Sequence, residues 1–165
     1  MTSKTDKEMN DCSVYTPLSK NIYGHMWLKC GIFIAGGISN CPDWQSYMIK
    51  LLQTGQVNLD IFNPRRDEFD FSSEKESEFQ IEWEYEHLNI CTYIMYWFPK
   101  ESICPIVLYE LGRYIMDGSK HIFIGVEPGY PRAYDVYKQI KLTRPDIVIV
   151  DTLEKLAEQI VNVRT

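Results

Sequence analysis

Glu110 stands in the stretch 104–115 (CPIVLYELGRYI), among Leu108, Tyr109 and Leu111, with Gly112 two positions on. A carboxylate this close to apolar neighbours is either a solvated helix residue or a group aimed into a pocket, and glutamate is rarely buried without a partner. Glycine inside a helix costs about 1 kcal/mol against alanine and often marks close approach of a ligand or another backbone. Local physics leaves both readings open. A second stretch is GIFIAGGIS, where an apolar strand runs into Gly36-Gly37 and then towards a helix. That arrangement lets a ligand approach backbone N–H groups, although it is not the GxGxxG spacing of dinucleotide sites and is also met in plain tight turns. The third is the loop NPRRDEFDF, which crowds Arg65, Arg66 and three acidic residues beside two aromatics. It reads either as a salt-bridged surface loop or as a polar lip over a pocket at a strand's C-terminal end.

These groups need a scaffold. The run 94–98 (IMYWF) reads as a buried strand ended by Pro99. Beyond it Ile106, Leu108, Leu111 and Ile115 recur at a period near 3.6 residues, with Pro105 at the helix start. Upstream, 31–35 and 58–62 read as short strands. Helix 43–52 between them has Trp44, Tyr47, Met48, Leu51 and Leu52 on one face. The acidic, serine-rich 72–78 reads as an exposed turn. Helix 78–90 follows, with Phe79, Trp83, Glu86 or His87, and Ile90 along one side. Downstream come a strand at 121–126, a short helix at 134–142, a fifth strand at 147–150 and a last helix at 153–163. This alternation predicts an α/β domain: a five-stranded parallel sheet, helices on both faces and right-handed crossovers. Residues 1–26 read as a polar N-terminal extension, and 27–165 as one domain.

Composition narrows the chemistry. The formal net charge is −6 and no basic cluster exceeds Arg65-Arg66, which argues against a nucleic-acid polymer as partner. Five cysteines are scattered, odd in number and never spaced as CxxC, and three histidines form no HExxH pattern. Reduced thiols, a cytoplasmic setting and the absence of a metal site or cofactor are expected. The polar start carries no apolar segment of a secretory leader, and no run of about 18 apolar residues exists to span a membrane.

Five pieces, in order, resemble the nucleoside 2-deoxyribosyltransferase family: GIFIAGGIS with Trp44-Gln45, NPRRDEFD, QIEWEYEHL, MYWFPKESICPIVLYELG and GVEPGYPRAYDV. The resemblance covers roughly residues 30–150 and is strongest to the branch with NPRR and WFP…ELG signatures. It implies a compact flavodoxin-like (Rossmann-like) subunit that assembles through side-by-side dimers or larger homo-oligomers. It implies transfer of a 2-deoxyribosyl group from a deoxynucleoside to a free nucleobase. The family's nucleophile falls on Glu110, and its second acid on Glu84, where some members have Asp. Gly36 and Gly37 would lie against the sugar, and Arg65, Arg66 and Asp67 would face the base. Asp135 is the counterpart of a residue with which a neighbouring subunit closes the pocket. Phe33 stands where members commonly have a tyrosine whose hydroxyl reaches the nucleophile. Cys104 stands where relatives often have Asp or Ser touching the sugar hydroxyl or a phosphate, and is a poor hydrogen-bonding substitute. Ser102 or Tyr109 are candidates for the missing hydroxyl.

The chemistry suits the residue types. A carboxylate at the anomeric carbon can form a glycosyl ester, and two inversions give net retention. The departing base needs a proton, a task for Glu84 or Asp67. Burial against Leu111 and Tyr109 would raise the Glu110 pKa, so hydrogen-bond donors are expected beside it. Two other readings remain. One is a nucleoside or nucleotide N-glycoside hydrolase, although Pro105 removes a donor that a phosphate would use. The other is a non-catalytic nucleotide-binding module.

Overall fold

The computed structural model describes residues 12–19, 31–67, 69–70 and 72–163. Ten elements follow in chain order: β1 (Val14–Tyr15), β2 (Gly31–Gly36), α1 (Trp44–Thr54), β3 (Asp60–Phe62), α2 (Glu74–Ile90), β4 (Tyr93–Phe98), α3 (Pro105–Tyr114), β5 (His121–Val126), α4 (Ala133–Thr143) and α5 (Leu153–Asn162). The strands form one five-stranded sheet in the order β1-β3-β2-β4-β5, every neighbouring pair parallel. The fold is flavodoxin-like α/β.

Two strand expectations differ from the structure, one by an added strand and one by a strand that does not form. Val14 and Tyr15, placed within a polar extension, pair with Ile61 and Phe62 and add an edge strand. Tyr15 also stacks on Phe62, with ring centroids 5.4 Å apart. Most of that extension lies outside the described residues. The apolar run 147–150 contributes one bridge only, Val150 to Gly125. Pro145 and Asp146 precede it in a turn, and Arg144 holds Asp146 through bonds of 2.8–3.2 Å, so the run meets β5 at its end alone.

Each face of the sheet carries its own core. On one side Ile32, Ile34, Met95 and Trp97 pack against α1 and α5 through Met48, Leu52, Leu156 and Ile160. On the other, Phe33, Ala35, Ile94, Tyr96 and Phe98 meet α2, α3 and α4 through Trp83, Val107, Leu111, Val136 and Ile140. All six residues of β4 are buried, as a central parallel strand covered on both faces requires.

Helix faces depart from the expected stripes in informative ways. In α1 the buried set is Trp44, Gln45, Met48 and Leu52, while Tyr47 turns outward and donates its hydroxyl to Glu154 Oε1 at 2.7 Å. α2 begins four residues earlier than expected because Ser73 caps it, its side chain accepting from the Glu76 N–H. Its buried residues are Trp83, His87 and Leu88; Phe79 and Ile90 are exposed. In α3 the buried stripe is Val107, Glu110, Leu111 and Tyr114, while Ile106 is 63% exposed. Positions i, i+3, i+4 and i+7 form one helical face, so Glu110 lies on the inward side.

The order of the sheet places a crevice. From β2 the chain moves outward to β3, then returns to put β4 on the other side of β2. Loops leaving β2 and β4 therefore diverge, and ligands bind outside the strand C-termini at such a switch point. Among the described residues no helix is long and apolar enough to cross a membrane. Among the described residues Cys41, Cys91 and Cys104 are buried thiols outside any disulfide.

Candidate active site

A cavity of about 390 Å³ opens at this switch point. Its floor is the end of β2, Phe33 and Ala35 to Ser39 except for buried intervening Ile34. One wall is the 64–69 loop with Pro64, Arg66 and Phe69, a second is α2 with Gln80 and Glu84, and a third runs from Ser102 and Cys104 into α3 as far as Glu110.

Backbone geometry shapes the floor. A Cβ on Gly36 would stand 2.3 Å from Trp44 Cζ2 and 2.7 Å from the Trp97 carbonyl oxygen. One on Gly37 would stand 2.8–2.9 Å from Pro99 Cγ and from the sulfurs of Cys41 and Cys104. The Gly37 carbonyl accepts from Trp44 Nε1 at 2.7 Å, which turns it into the protein rather than the cavity. Both glycines are thus required for close packing under the site. Opposite them, α3 starts from Cys104 in a left-handed conformation, φ 52°, followed by Pro105 at the first helical position. The Cys104 N–H donates to Ser102 Oγ at 3.2 Å, a local tie for a residue type that seldom adopts positive φ.

The wall built by α2 is fastened at both ends. Arg66 pairs with Glu76 in the first turn and lies over the Phe69 ring, 4.7 Å from its centroid. Gln80 Nε2 donates to the Pro64 carbonyl and to Glu84 Oε1, both at 2.8 Å. At the other end Lys120 Nζ donates to the carbonyls of Leu88 and Cys91, at 2.9 and 2.6 Å, where the helix leaves its last acceptors open.

Two carboxyls face the enclosed space. Glu110 is 9% exposed, and burial, followed by the nearby Glu84 charge, pushes its pKa up to about 8 while Arg113 pulls the other way. Burial also raises Glu84, against the hydrogen bond from Gln80. No described residue donates a hydrogen bond to Glu110, although the buried and unpartnered Tyr96 hydroxyl lies near enough for the Glu110 charge to help raise its pKa, and Tyr109 does not bury Glu110: Tyr109 is 65% exposed with Arg113 over its ring. Glu110 is buried and Glu84 half-buried, and the Glu84 charge adds to burial in keeping a proton on Glu110 near neutrality. That leaves one group able to act as nucleophile and one as acid.

The shift has a consequence for stability. Folded Glu110 keeps its proton to about pH 8, whereas the unfolded chain releases it near 4.5. The native state therefore binds more protons across this interval and loses stability as pH rises through it. Glu110→Gln is expected to raise Tm at pH 9 by roughly 5–10 °C, corresponding to a few kcal/mol, with little change at pH 4. Thermal denaturation of both proteins across pH checks this; a Tm difference independent of pH contradicts it.

Of the residues picked from sequence, Gly36, Gly37, Arg66, Glu84, Cys104 and Glu110 come together around one cavity, with Phe33 and Ser102 beside them. Three do not join them. Arg65 turns away, donating to Gln45 Oε1 at 3.0 Å and to the Pro42 and Cys41 carbonyls at 3.2 and 3.3 Å, because the carbonyls before α1 offer it fixed acceptors. Asp67 is exposed in a bend and lines no part of the cavity. Asp135 sits in the first turn of α4, exposed and paired with Arg132 at 3.1 Å, outside the cavity of its own chain. Gln80 and Phe69 were not singled out in sequence; Gln80 was signalled by its position one helical turn before Glu84.

Comparison with known proteins bears on the fold and on the family. The chain is similar in fold to a solved structure described as a conserved protein from Enterococcus faecalis V583, with a TM-score of 0.59 and 15% identity. The match covers 83% of this chain and 99% of that one. No curated protein matches the sequence significantly. Residues 29–130, which include the whole cavity wall from the β2 turn to Glu110, match the family described as nucleoside 2-deoxyribosyltransferase like. The chain belongs to the nucleoside 2-deoxyribosyltransferase-like family.

Proposed function

We infer that the protein transfers the 2-deoxyribosyl group of a deoxynucleoside to a second nucleobase, through an ester between the sugar and Glu110. The observation that carries this reading is the pair of carboxyls, buried Glu110 and half-buried Glu84, on two walls of one cavity in a chain of this family. In the first half-reaction a Glu110 oxygen attacks C1′. The C1′–N bond breaks, its electron pair stays on the base, and Glu84 supplies the proton that lets the base leave neutral. The incoming base then attacks C1′ from the opposite side, expels the Glu110 carboxylate and returns a proton to Glu84.

The buried nucleophile must be ionised when it attacks. Hydroxyl groups of the sugar can donate to Glu110, and such bonds favour its charged form with the proton on Glu84. Gly36 and Gly37 allow the close packing that forms the floor, and Phe33, Phe69 and Ile106 provide apolar surface for rings. Arg66, already paired with Glu76, shapes the base side of the cavity rather than offering a bare charge for a phosphate.

A homodimer fits the outer surface. Ile81 and Tyr85 on α2, and Ile106 and Tyr109 on α3, are each more than half exposed, and Arg113 lies over both tyrosine rings. A second copy packed here would cover these groups beside the cavity mouth.

Chromatographic product analysis tests the reading. Wild-type protein incubated with a deoxynucleoside and a different free base should yield the new deoxynucleoside, with the first base released in equal amount. Free base released at a rate independent of acceptor would indicate hydrolysis instead. Absence of turnover on all deoxynucleosides and their monophosphates would overturn the enzyme reading.

A further inference from the structure

Ile94, Tyr96 and Phe98 are the residues of β4 that face the helices carrying the site, and of the three only Tyr96 ends in a polar group. Tyr96 is fully buried, and its hydroxyl has no hydrogen-bond partner among the described residues. A buried hydroxyl left unpaired is costly, and each one in a folded protein asks for an explanation. A ligand does not supply the partner, because the hydroxyl is sealed from the cavity and Tyr96 forms no part of its lining. The acceptor has to come from within the protein.

The surroundings narrow the choice to one group. In the sheet Tyr96 lies between Ala35 of β2 and Ile124 of β5, whose side chains accept nothing. The same core layer contains Val107, Leu111 and Tyr114, which flank Glu110 on the inward face of α3. On α2 two buried acceptors are also unpaired, Gln80 Oε1 and His87 Nε2, but both side chains are anchored. Gln80 is held by its amide to Pro64 and Glu84, and the His87 ring lies against Trp83 and Phe62 with Nδ1 bound to the Trp83 carbonyl. Tyr114 is tied to Asn89, and Arg113 cannot accept. Glu110 has no such tie, and among charges its own acts most strongly on the Tyr96 hydroxyl, ahead of Tyr114 and Arg113. From α2 the ionisable group that acts on Glu110 in turn is Glu84.

We propose that Tyr96 positions the nucleophile: when Glu110 gives up its proton, the carboxylate turns to accept from the Tyr96 hydroxyl, one oxygen held there and the other left for C1′. This rests on Glu110 being the nucleophile. Burial keeps the phenol protonated, so it is a donor at every working pH. A bond made to the charged form favours that form, which counters the burial that keeps the proton on Glu110.

The test reads the contact without relying on turnover. The Glu110 carboxyl carbon is followed by NMR through a pH titration of protein labelled with ¹³C-glutamate, its signal assigned by its loss in Glu110→Gln. Tyr96→Phe keeps the ring and removes only the donor, and is expected to raise the Glu110 pKa by about one unit. In an active enzyme it should also lower kcat about ten-fold at neutral pH, with KM nearly unchanged. An unchanged or lowered Glu110 pKa overturns the proposal whatever the activity. A raised pKa with kcat intact overturns the positioning role and leaves the transferase reading standing. If wild type turns over no deoxynucleoside, that reading fails by itself and the titration alone decides the contact. Should Tyr96→Phe not fold, the Tyr96 hydroxyl proton of wild type, identified through its own ring protons, replaces it. Movement downfield as Glu110 ionises, absent in Glu110→Gln, upholds the contact; a signal that ignores Glu110 overturns it.

Discussion

Glu110→Ala is expected to lower kcat for deoxyribosyl transfer by about four orders of magnitude or more, because the residue that forms the covalent intermediate is removed outright. The helix face supports giving this role to Glu110 and not to a neighbour. Val107, Glu110, Leu111 and Tyr114 are the inward positions of α3, and Glu110 is the one among them with a group able to attack. Tyr114 donates its hydroxyl to Asn89 Oδ1 at 3.1 Å and is thereby engaged elsewhere. The loss should not be a folding defect. Removing a carboxyl that burial holds near a pKa of about 8 relieves the native state at alkaline pH. An inactive variant more stable than wild type at pH 9 is the combined signature, read by product chromatography and thermal denaturation. Retention of more than a few per cent of transfer activity would remove Glu110 from the chemistry.

Glu84→Gln is expected to reduce kcat/KM by about 10²- to 10⁴-fold for ordinary deoxynucleosides, the range that a positioned general acid supplies. The size of the loss should depend on the leaving base. A deoxynucleoside alkylated at a ring nitrogen departs as a neutral base without protonation, so the variant should process it nearly as well as wild type. Equal losses on both substrate types would mean that Glu84 only shapes the wall. The acid's poise has a visible cause: burial raises its pKa and the Gln80 amide restrains that rise.

Much of this architecture was legible in the chain. The alternation of apolar runs and 3.6-residue patterns gives the parallel α/β sheet, since strands such as 93–98 are buried on both faces and read as continuous apolar runs. Pairing at the two sheet edges was not legible. Val14 and Tyr15 are too short a segment to show a period, and the apolar run 147–150 is held off β5 by the Arg144–Asp146 turn. Within the site, Gly36, Gly37 and Glu110 carried signals of residue type and place. Whether Glu110 pointed inward could not be read locally, because Ile106, Leu108 and Leu111 suggested a stripe rotated from the real one. Arg65 and Arg66 are adjacent and chemically identical, yet one is drawn to carbonyls before α1 and the other to Glu76 and Phe69 beside the cavity. Only tertiary neighbours separate them. Gln80 was overlooked because a glutamine on an acidic helix looks like solvated surface until Pro64 is seen to lie against it.

The covalent intermediate is the centre of the account, and it can be seen directly. Protein mixed with a 2′-deoxynucleoside in the absence of acceptor base is quenched in acid and its intact mass recorded, followed by peptide mapping. The account predicts a species heavier by one deoxyribosyl group, located at Glu110, lost on addition of a free base and not formed by Glu110→Ala. Rapid transfer with no adduct at any quench time, or an adduct mapped to another residue, would contradict it.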